Sequence, residues 1–193
     1  MSGLLLAGGS SSRMGTDKAS VELEGRPLAV RVLEVLREVA DDVVVASGDG
    51  ERLGWLGAEQ VADVVPDVGP LSGLVAGLEH ARRPLVAVLA VDLPFASAAV
   101  LRLLAGLAGE HDAVVPVTDA GLEPLHAIYA AAAAPRLRAA LESGERSLRG
   151  ALSTVSVRRV EPHEWRPADP AGRFARNVNR PQDLPPPPPP PLA

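Results

Sequence analysis

The strongest constraint on the fold of this chain is the regular alternation of short apolar runs with longer stretches of helical periodicity. The predicted strands are 2–7, 42–47, 60–65, 85–91, 112–117 and 154–160, and the predicted helices are 27–40, 71–81, 97–107 and 135–143. Segment 125–129 fits a further strand, although the run of alanines after it leaves a helix as the alternative. Strands that alternate with helices indicate an α/β sandwich with a mostly parallel sheet.

The length and the C-terminal composition predict a single folded domain with a tail. A chain of 193 residues is long enough to bury one ordinary core. Seven consecutive prolines at 185–191 favour an extended polyproline II segment that does not pack. We therefore expect one domain over residues 1–184 and a proline-rich tail over residues 185–193.

The composition excludes several classes of function. The absence of cysteine rules out disulfides, thiolate metal sites and a cysteine nucleophile. No apolar run approaches the ~18 residues of a membrane span, and the N-terminus lacks the pattern of a signal peptide, so we expect a cytoplasmic protein without membrane contact. The net charge of −5 argues against a broad nucleic-acid-binding face.

The first candidate site is the glycine-rich segment 6–18, LAGGSSSRMGTDK. Gly8 and Gly9 allow the backbone to approach a ligand closely, and successive amides favour anions. Arg13 and Lys18 add cations, and Lys18 is the only lysine among 19 basic residues. The spacing differs from that of a Walker loop. A flexible turn is the alternative, but the cations in register with the glycines favour a triphosphate site.

The second candidate site is Asp92, which directly follows the buried run 85–91. A carboxylate at that end of a strand faces the ligand crevice of an α/β sheet and suits Mg²⁺. Capping of the next helix is the alternative, but Pro94 and Ser97 are better start signals for that helix. Asp63, in the third predicted strand, is another polar residue expected at this edge.

Two weaker candidates lie further along the chain. Asn177 and Asn179 are spaced so that both side chains point the same way from an extended segment, although turn chemistry is the alternative. His126 lies in an apolar stretch, and we expect it to be packed or hydrogen-bonded rather than catalytic.

Together these segments resemble the molybdenum cofactor guanylyltransferases of the nucleotidyltransferase superfamily. The matching segments are LAGG at 6–9, RMG at 13–15, DK at 17–18, GPLSG at 69–73, VDLPF at 91–95, PLHAIY at 124–129 and NVNRPQDL at 177–184. In order and spacing they cover nearly the whole chain except the proline tail. One departure is Arg180-Pro181, where relatives often have Thr-Pro.

The resemblance implies a Rossmann-like three-layer sandwich that binds GTP and Mg²⁺ and transfers GMP to the terminal phosphate of molybdopterin or the molybdenum cofactor. The implied catalytic residues are Arg13, Lys18 and Asp92, with Asp92 as the metal ligand. The implied nucleotide-binding residues are Leu6, Ala7, Gly8, Gly9, Lys18, Ser47, Asp63 and Asp92. Asn177 and Asn179 would lie on the pterin side, and transient contact with cofactor-biosynthesis or acceptor proteins is a further expectation.

Two other functions fit parts of the same pattern. A molybdopterin cytidylyltransferase, or another small-molecule nucleotidyltransferase, would keep the chemistry and change the substrate. In the cytidylyl group the loop more often reads LAAG, so Gly8 favours guanine. A catalytically silent nucleotide-binding or interaction protein is the non-enzyme alternative, and the presence of both Lys18 and Asp92 argues against it.

Overall fold

The computed structural model of the protein describes residues 1–8 and 17–178. The strands are β1 Ser2–Leu6, β2 Glu22–Leu23, β3 Arg26–Pro27, β4 Asp42–Gly48, β5 Glu59–Ala62, β6 Leu85–Ala90, β7 Ala113–Thr118, β8 Gly121–Leu122, β9 His126–Ala130 and β10 Val157–Val160. The α-helices are α1 Leu28–Arg37, α2 Pro70–His80, α3 Ala98–Gly106, α4 Ala134–Glu142, α5 Leu148–Ala151 and α6 Pro162–Trp165. Short 3-10 helices cover Lys18–Ser20, Gly54–Leu56, Ala131–Ala133, Leu152–Thr154 and Arg173–Ala175.

The central sheet has the strand order β10-β7-β9-β6-β1-β4-β5, and β8 is added to β7. The neighbouring pairs β6-β1, β1-β4, β4-β5 and β10-β7 are parallel. Strand β9 runs antiparallel to both of its neighbours. The predicted mostly parallel sheet is therefore confirmed. Its central strand β1 is apolar because it is buried on both faces.

Helices cover both faces of the sheet and create two separate cores. On one face α1 and α3 bury an apolar cluster with Trp165 and Phe174. On the other face α2, α4 and α5 bury a second cluster with Leu4, Leu6 and Tyr129. The result is three layers, which confirms the predicted α/β class and its Rossmann-like sandwich architecture.

The structure decides one open prediction and departs from the sequence prediction at other elements. The strand predicted at 125–129 is confirmed as β9, His126–Ala130, because its backbone pairs with β6 in the register Leu89–His126. The third predicted strand ends at Ala62, so Asp63 follows strand β5 and does not lie within it. The hairpin β2-β3 was missed by the periodicity, and its turn places Glu24 and Gly25 at positive φ, as a two-residue hairpin turn requires.

Helix α2 packs against β1 through glycine, and this contact yields a stability prediction. A Cβ atom on Gly77 would lie 2.3 Å from Leu4 Cδ1, whereas a Cβ on Gly106 in α3 would meet no atom within 4 Å. We expect Gly77→Ala to destabilise the fold by about 1–3 kcal/mol, because the buried Leu4 has to move. Gly106→Ala is the matched control and should be neutral or stabilising by up to about 1 kcal/mol. Urea denaturation of both variants measures the difference, and equal effects would contradict the close packing of α2.

Two sequence predictions concern the tail and membranes. The predicted domain end at Leu184 and the tail 185–193 lie outside the described residues. Among residues 1–8 and 17–178, the structure contains no helix with the length and apolar character needed to cross a membrane.

Candidate active site

The candidate site lies where four parallel strands end side by side. Strands β6, β1, β4 and β5 are neighbours and point the same way, so their carboxyl ends form one edge of the sheet. The residues just beyond those ends include Gly8, Asp49, Asp63 and Asp92. Ligands of open α/β sheets bind at this edge. The predicted site residues Gly8, Asp63 and Asp92 are therefore brought to one edge of the sheet.

Lys18 and Asp92 form an ion pair at this edge. Lys18 Nζ donates to Asp92 Oδ2 at 3.1 Å, and the two side chains are 19% and 22% exposed. The 3-10 helix that begins at Lys18 is capped by Asp17, whose Oδ1 accepts a hydrogen bond from the Ala19 amide at 3.1 Å. Beside the pair, the Val91 amide donates to the Leu6 carbonyl at 3.0 Å and extends the β1-β6 contact past the strands. The only lysine is therefore held against the predicted metal ligand.

The second carboxylate oxygen of Asp92 suits a hard cation. Asp92 Oδ1 is buried and accepts no hydrogen bond within the described part of the chain. A buried acceptor without a partner costs free energy, so this oxygen is suited to a ligand. Residues 1–8 and 17–178 contain no group of three or more acidic, His or Cys side chains arranged around a metal position. Mg²⁺ usually takes one or two carboxylates and substrate phosphates, and Asp92 fits that pattern.

Asp63 packs against two glycines at the neighbouring strand end. A Cβ atom on Gly8 would lie 3.4 Å from each carboxylate oxygen of Asp63, and a Cβ on Gly73 would lie 3.1 Å from Asp63 Oδ1. That oxygen is also buried without a hydrogen-bond donor among the described residues. Burial raises the pKa of Asp63 from 3.8 to about 6, the charge of Asp67 adds to the increase, and Arg52 opposes it. Asp63 therefore presents a weakly solvated carboxylate beside Gly8.

The raised pKa of Asp63 predicts that removing its charge increases the free energy of unfolding by an amount that depends on pH. Because the folded-state pKa exceeds the ordinary value of 3.8, ionisation of Asp63 lowers the free energy of unfolding as the pH rises from about 4 to above 6. We expect Asp63→Asn to stabilise the protein by about 1–2 kcal/mol at pH 8, a value that allows for solvent screening of a partly buried group. The gain should vanish near pH 4. Urea denaturation at the two pH values measures it.

A second substitution provides the control for that experiment. Asp67 is exposed and its backbone has a φ of 59°, a conformation that asparagine tolerates. Asp67→Asn removes only the charge of Asp67, which is the smaller cause of the raised pKa of Asp63. It should therefore increase the free energy of unfolding at pH 8 by less than Asp63→Asn does. An equal effect of Asp63→Asn at both pH values would contradict the assigned burial of its charge.

Glu123 is a carboxylate at this edge that the sequence reasoning missed. It lies between β8 and β9, and its Oε1 accepts a hydrogen bond from the Leu125 amide at 3.3 Å. Burial raises its pKa and the negative charge of Asp92 adds to the increase, whereas the hydrogen bond from the Leu125 amide and the charge of Arg149 oppose it. Glu123 therefore belongs to the electrostatic surroundings of Asp92. The signal in the sequence was its position immediately before the PLHAIY segment.

Arg52 is a second residue that the sequence reasoning missed. Its Nε donates to the Ser47 carbonyl at 2.6 Å, and its terminal nitrogens contact the Ala7 carbonyl and the Asp17 carboxylate. Two of these three acceptors are backbone oxygens, which leave no mark in a sequence. Arg52 thus joins the end of β1, the end of β4 and the segment that carries Lys18.

The remaining predicted site residues are placed as follows. Ser47 is 1% exposed, and its hydroxyl accepts from the Gly50 amide at 3.0 Å and contacts Asp49. Asn177 is exposed and precedes Val178, whose amide donates to the Asp92 carbonyl at 2.9 Å. Their assigned roles stay predictions. The other predicted positions lie outside the described residues: Gly9, Arg13 and Asn179.

His126 has the structural role that its apolar context indicates. It is fully buried, its Nε2 accepts from the Ser97 amide at 3.1 Å, and its ring contacts Phe174 edge-on with centroids 4.7 Å apart. Burial lowers its pKa to about 3, so the imidazole is neutral at physiological pH. Ser97 also caps α3 through its side chain, which leaves Asp92 free of that task.

The mostly parallel sheet, with the Lys18–Asp92 ion pair at the carboxyl ends of its strands, defines an α/β protein with a charged candidate site. A family model, the MobA-like NTP transferase domain, matches residues 3–158. A probable molybdenum cofactor guanylyltransferase from Chloroflexus aggregans is 35% identical over 190 residues, which cover 95% of this chain and 91% of the relative. A molybdenum cofactor guanylyltransferase from Pseudomonas entomophila is 39% identical over 163 residues, covering 82% and 85%.

The solved structures agree with these relatives. Molybdopterin-guanine dinucleotide biosynthesis protein A from Archaeoglobus fulgidus superposes with a TM-score of 0.83 at 32% identity and 95% coverage of both chains. The chain belongs to the MobA-like NTP transferase domain family and is a nucleotidyltransferase. The resemblance to molybdenum cofactor guanylyltransferases inferred from the sequence is confirmed.

Proposed function

We propose that this protein transfers GMP from GTP to the terminal phosphate of molybdopterin, with or without bound molybdenum, and that the reaction requires Mg²⁺. The observation that carries the proposal is the Lys18–Asp92 pair at the carboxyl ends of β1 and β6, with one oxygen of Asp92 buried and unsatisfied. The names of the related guanylyltransferases support the choice of substrates.

The residues at the edge of the sheet suit this reaction. An oxygen of the acceptor phosphate forms a bond to the α-phosphorus of GTP while the bond from that phosphorus to the bridging oxygen breaks, and pyrophosphate leaves with the electron pair. Such transfers depend on positioning and charge stabilisation more than on covalent help from the protein. Lys18 supplies a compact positive charge for the triphosphate. A magnesium ion held by Asp92 would supply further positive charge to the phosphate oxygens.

The nucleotide is proposed to bind along the ends of β1 and β5. Gly8 leaves the backbone of β1 open because it has no Cβ, and Asp63 stands behind it. Leu6 and Ala7 continue the same strand end. Gly9 and Arg13 are proposed to contact the phosphates, and Ser47 remains a proposed neighbour of the nucleotide. Loss of the Asp63 charge should therefore weaken nucleotide binding as the pH falls below about 6.

The acceptor is proposed to approach from the C-terminal segment. The hydrogen bond from the Val178 amide to the Asp92 carbonyl fixes this segment beside the metal-binding residue. Asn177 precedes that anchor and is exposed, so its amide is available to a polar pterin. Asn179 is assigned to the same side of the site.

Thermal stabilisation by nucleotides tests the proposal directly. GTP, CTP, ATP and UTP are added with and without Mg²⁺ to the native chain and to Asp92→Ala. A ligand at about 100 times its dissociation constant stabilises a protein by ~2.7 kcal/mol, which gives a measurable rise in Tm. We expect a Mg²⁺-dependent rise with GTP that Asp92→Ala abolishes.

Each other outcome leads to a different conclusion. A rise in Tm with CTP in place of GTP would indicate a molybdopterin cytidylyltransferase. A rise with GTP that Asp92→Ala retains would remove Asp92 from the metal site. No rise with any nucleotide would contradict the enzymatic proposal and favour a silent interaction protein.

A further inference from the structure

Arg52 makes an unusual set of contacts for a partly exposed arginine. Its side chain is 27% exposed, and its guanidinium reaches two backbone carbonyls and one carboxylate. The carbonyls belong to Ala7 at the end of β1 and Ser47 near the end of β4, and the carboxylate belongs to Asp17. The rigid fork of arginine can serve several acceptors at once, which a single ammonium group cannot do in the same geometry.

The main chain around Arg52 is itself fixed. The Arg52 amide donates to Asp49 Oδ1 at 3.0 Å, and the next amide, of Leu53, donates to Gln60 Oε1 at 3.1 Å. Leu53 is fully buried. The guanidinium therefore projects from an ordered turn, and its contacts with Ala7 and Asp17 follow from where that turn holds it.

A continuous chain of contacts runs from Arg52 to the reacting end of the site. Asp17 uses one oxygen to meet Arg52 and the other to cap the 3-10 helix that begins at Lys18. Lys18 then contacts Asp92. Ala7, the other acceptor, directly precedes Gly8, which faces Asp63. Arg52 therefore links both halves of the proposed nucleotide site, although its own terminal nitrogens are already engaged with protein groups.

We propose that Arg52 is a positioning residue that sets the Lys18–Asp92 pair and the Ala7–Gly8 backbone in register for the nucleotide. The inference about substrate binding rests on the proposed GTP-dependent function. The inference about Lys18 does not, because the contact between Lys18 and Asp92 exists in the protein alone. Arg52 acts through these groups and does not take part in the chemical step.

The uniqueness of Lys18 allows this coupling to be measured without any substrate. A limiting amine-acylating reagent modifies only Lys18 and the α-amine of Met1, and peptide mass mapping separates the two sites. The rate at Lys18 relative to Met1 is measured in four proteins: native, Asp92→Asn, Arg52→Gln and the double variant. The direct effect of the Asp92→Asn charge change on Lys18 is the same with and without Arg52. Any difference between the two backgrounds therefore measures the coupling between Arg52 and the Lys18–Asp92 pair.

The expected result is strong non-additivity. In the native background, Asp92→Asn should accelerate acylation of Lys18 several-fold, because the ion pair is lost. In the Arg52→Gln background the same change should have little further effect, because Lys18 is no longer held on Asp92. An equal acceleration in both backgrounds would overturn the positioning role.

Steady-state kinetics provide the second readout. Arg52→Gln should raise the KM for GTP by about tenfold or more and leave the KM for molybdopterin unchanged, since the contacts of Arg52 lie on the nucleotide side. Arg52→Lys should fall between native and Arg52→Gln. A purely structural loss would lower the active fraction and leave both KM values unchanged, and that result would also overturn the proposal.

A matched arginine separates these effects from general destabilisation. Arg102 on α3 also donates to a backbone carbonyl, that of Glu38 at 3.0 Å, and lies near the Glu38 carboxylate. Arg102→Gln should leave the KM for GTP and the acylation rate of Lys18 unchanged. Circular dichroism and Tm verify that Arg52→Gln is folded, and Arg52→Lys replaces it if it is not. If the native chain uses no GTP, the proposed function fails, while the acylation cycle still decides the role of Arg52.

Discussion

Asp92→Asn is expected to lower the turnover of the native enzyme by about 1000-fold while the protein stays folded. Asp92 is the carboxylate that pairs with Lys18 and keeps a buried oxygen for a metal ion. An amide in its place keeps the shape and removes the charge that holds both cations. Loss of a preorganised electrostatic contact of this kind costs about 100- to 1000-fold in rate, and loss of metal binding adds to it. Initial rates with saturating GTP, Mg²⁺ and molybdopterin measure the effect.

The stability of Asp92→Asn should change little. The Lys18–Asp92 pair is partly exposed and contributes about 1 kcal/mol at most, which corresponds to roughly 2–4 °C in Tm for a chain of this size. The informative control is Asp112→Asn. Asp112 is buried, pairs with Arg136 and accepts from the Ser156 amide at 2.8 Å, away from the proposed site.

The two aspartates should therefore behave in opposite ways. Asp112→Asn is expected to lower Tm more than Asp92→Asn does and to keep the native turnover of its folded fraction. Asp92→Asn is expected to keep Tm and lose turnover. If Asp92→Asn retains more than about a tenth of native turnover, an effect well below that of a single preorganised contact, its role in metal binding is contradicted.

Lys18→Met is expected to lower kcat/KM for GTP by about 100- to 1000-fold. Lys18 lies against Asp92 and is the one lysine in the chain, so no other lysine can replace it. The substitution keeps most of the length of the side chain and removes the charge proposed to stabilise the triphosphate and the leaving pyrophosphate. Steady-state kinetics with varied GTP provide the measurement.

Lys18→Arg tests whether the shape of the cation matters as well as its charge. Lys18→Arg keeps a positive charge but replaces a compact ammonium with a larger planar group. We expect it to recover nucleotide binding in part and turnover only weakly, because the 3-10 helix that begins at Lys18 is fixed by Asp17 and leaves little freedom to adjust. Native turnover in Lys18→Arg would show that any cation suffices and would contradict a specific geometric role for the ammonium.

The position of Asp92 could be predicted from the sequence for a simple physical reason. A strand buried on both faces of a parallel sheet must be continuously apolar, so the first charged residue after it marks the edge of the sheet. Strand β6 is such a run and ends at Ala90, two residues before Asp92. The same reasoning placed Gly8 correctly after β1.

The contacts across the site could not be derived from periodicity. Lys18 and Asp92 are 74 residues apart, and they meet only because β1 and β6 are neighbours in the sheet. Strand order is set by long-range pairing and packing, which local patterns do not encode. That Lys18 and Asp92 belong to one site was inferred through the family resemblance. In the structure, Lys18 Nζ lies 3.1 Å from Asp92 Oδ2.

Arg52 and Glu123 illustrate a different limit. The chain has 18 arginines, and nothing in the sequence around Arg52 distinguishes it from the others. Its partners include backbone carbonyls, which every residue has. Glu123 gains its raised pKa from burial and from the charge of Asp92, and both depend on the folded arrangement. The contacts of Arg52 and the raised pKa of Glu123 therefore depend on the folded arrangement of the strand ends.

The segment before the alanine run shows how tertiary pairing decides between a strand and a helix. Residues 130–134 are all alanine, a strong helix former. The 3-10 helix Ala131–Ala133 and helix α4, which begins at Ala134, follow this propensity. Residues His126–Ala130 form strand β9 because they lie between β6 and β7 and pair with both. Local composition alone left both structures open for residues 125–129.

The most direct test of the proposed activity is product formation from GTP labelled at the α-phosphate. The purified protein is incubated with labelled GTP, Mg²⁺ and molybdopterin, and the products are separated by chromatography. We predict that the label moves to a molybdopterin–guanine dinucleotide with one pyrophosphate released per transfer, and that Asp92→Asn forms almost none. Transfer from CTP in place of GTP, or no transfer to molybdopterin from either nucleotide, would contradict the proposed function.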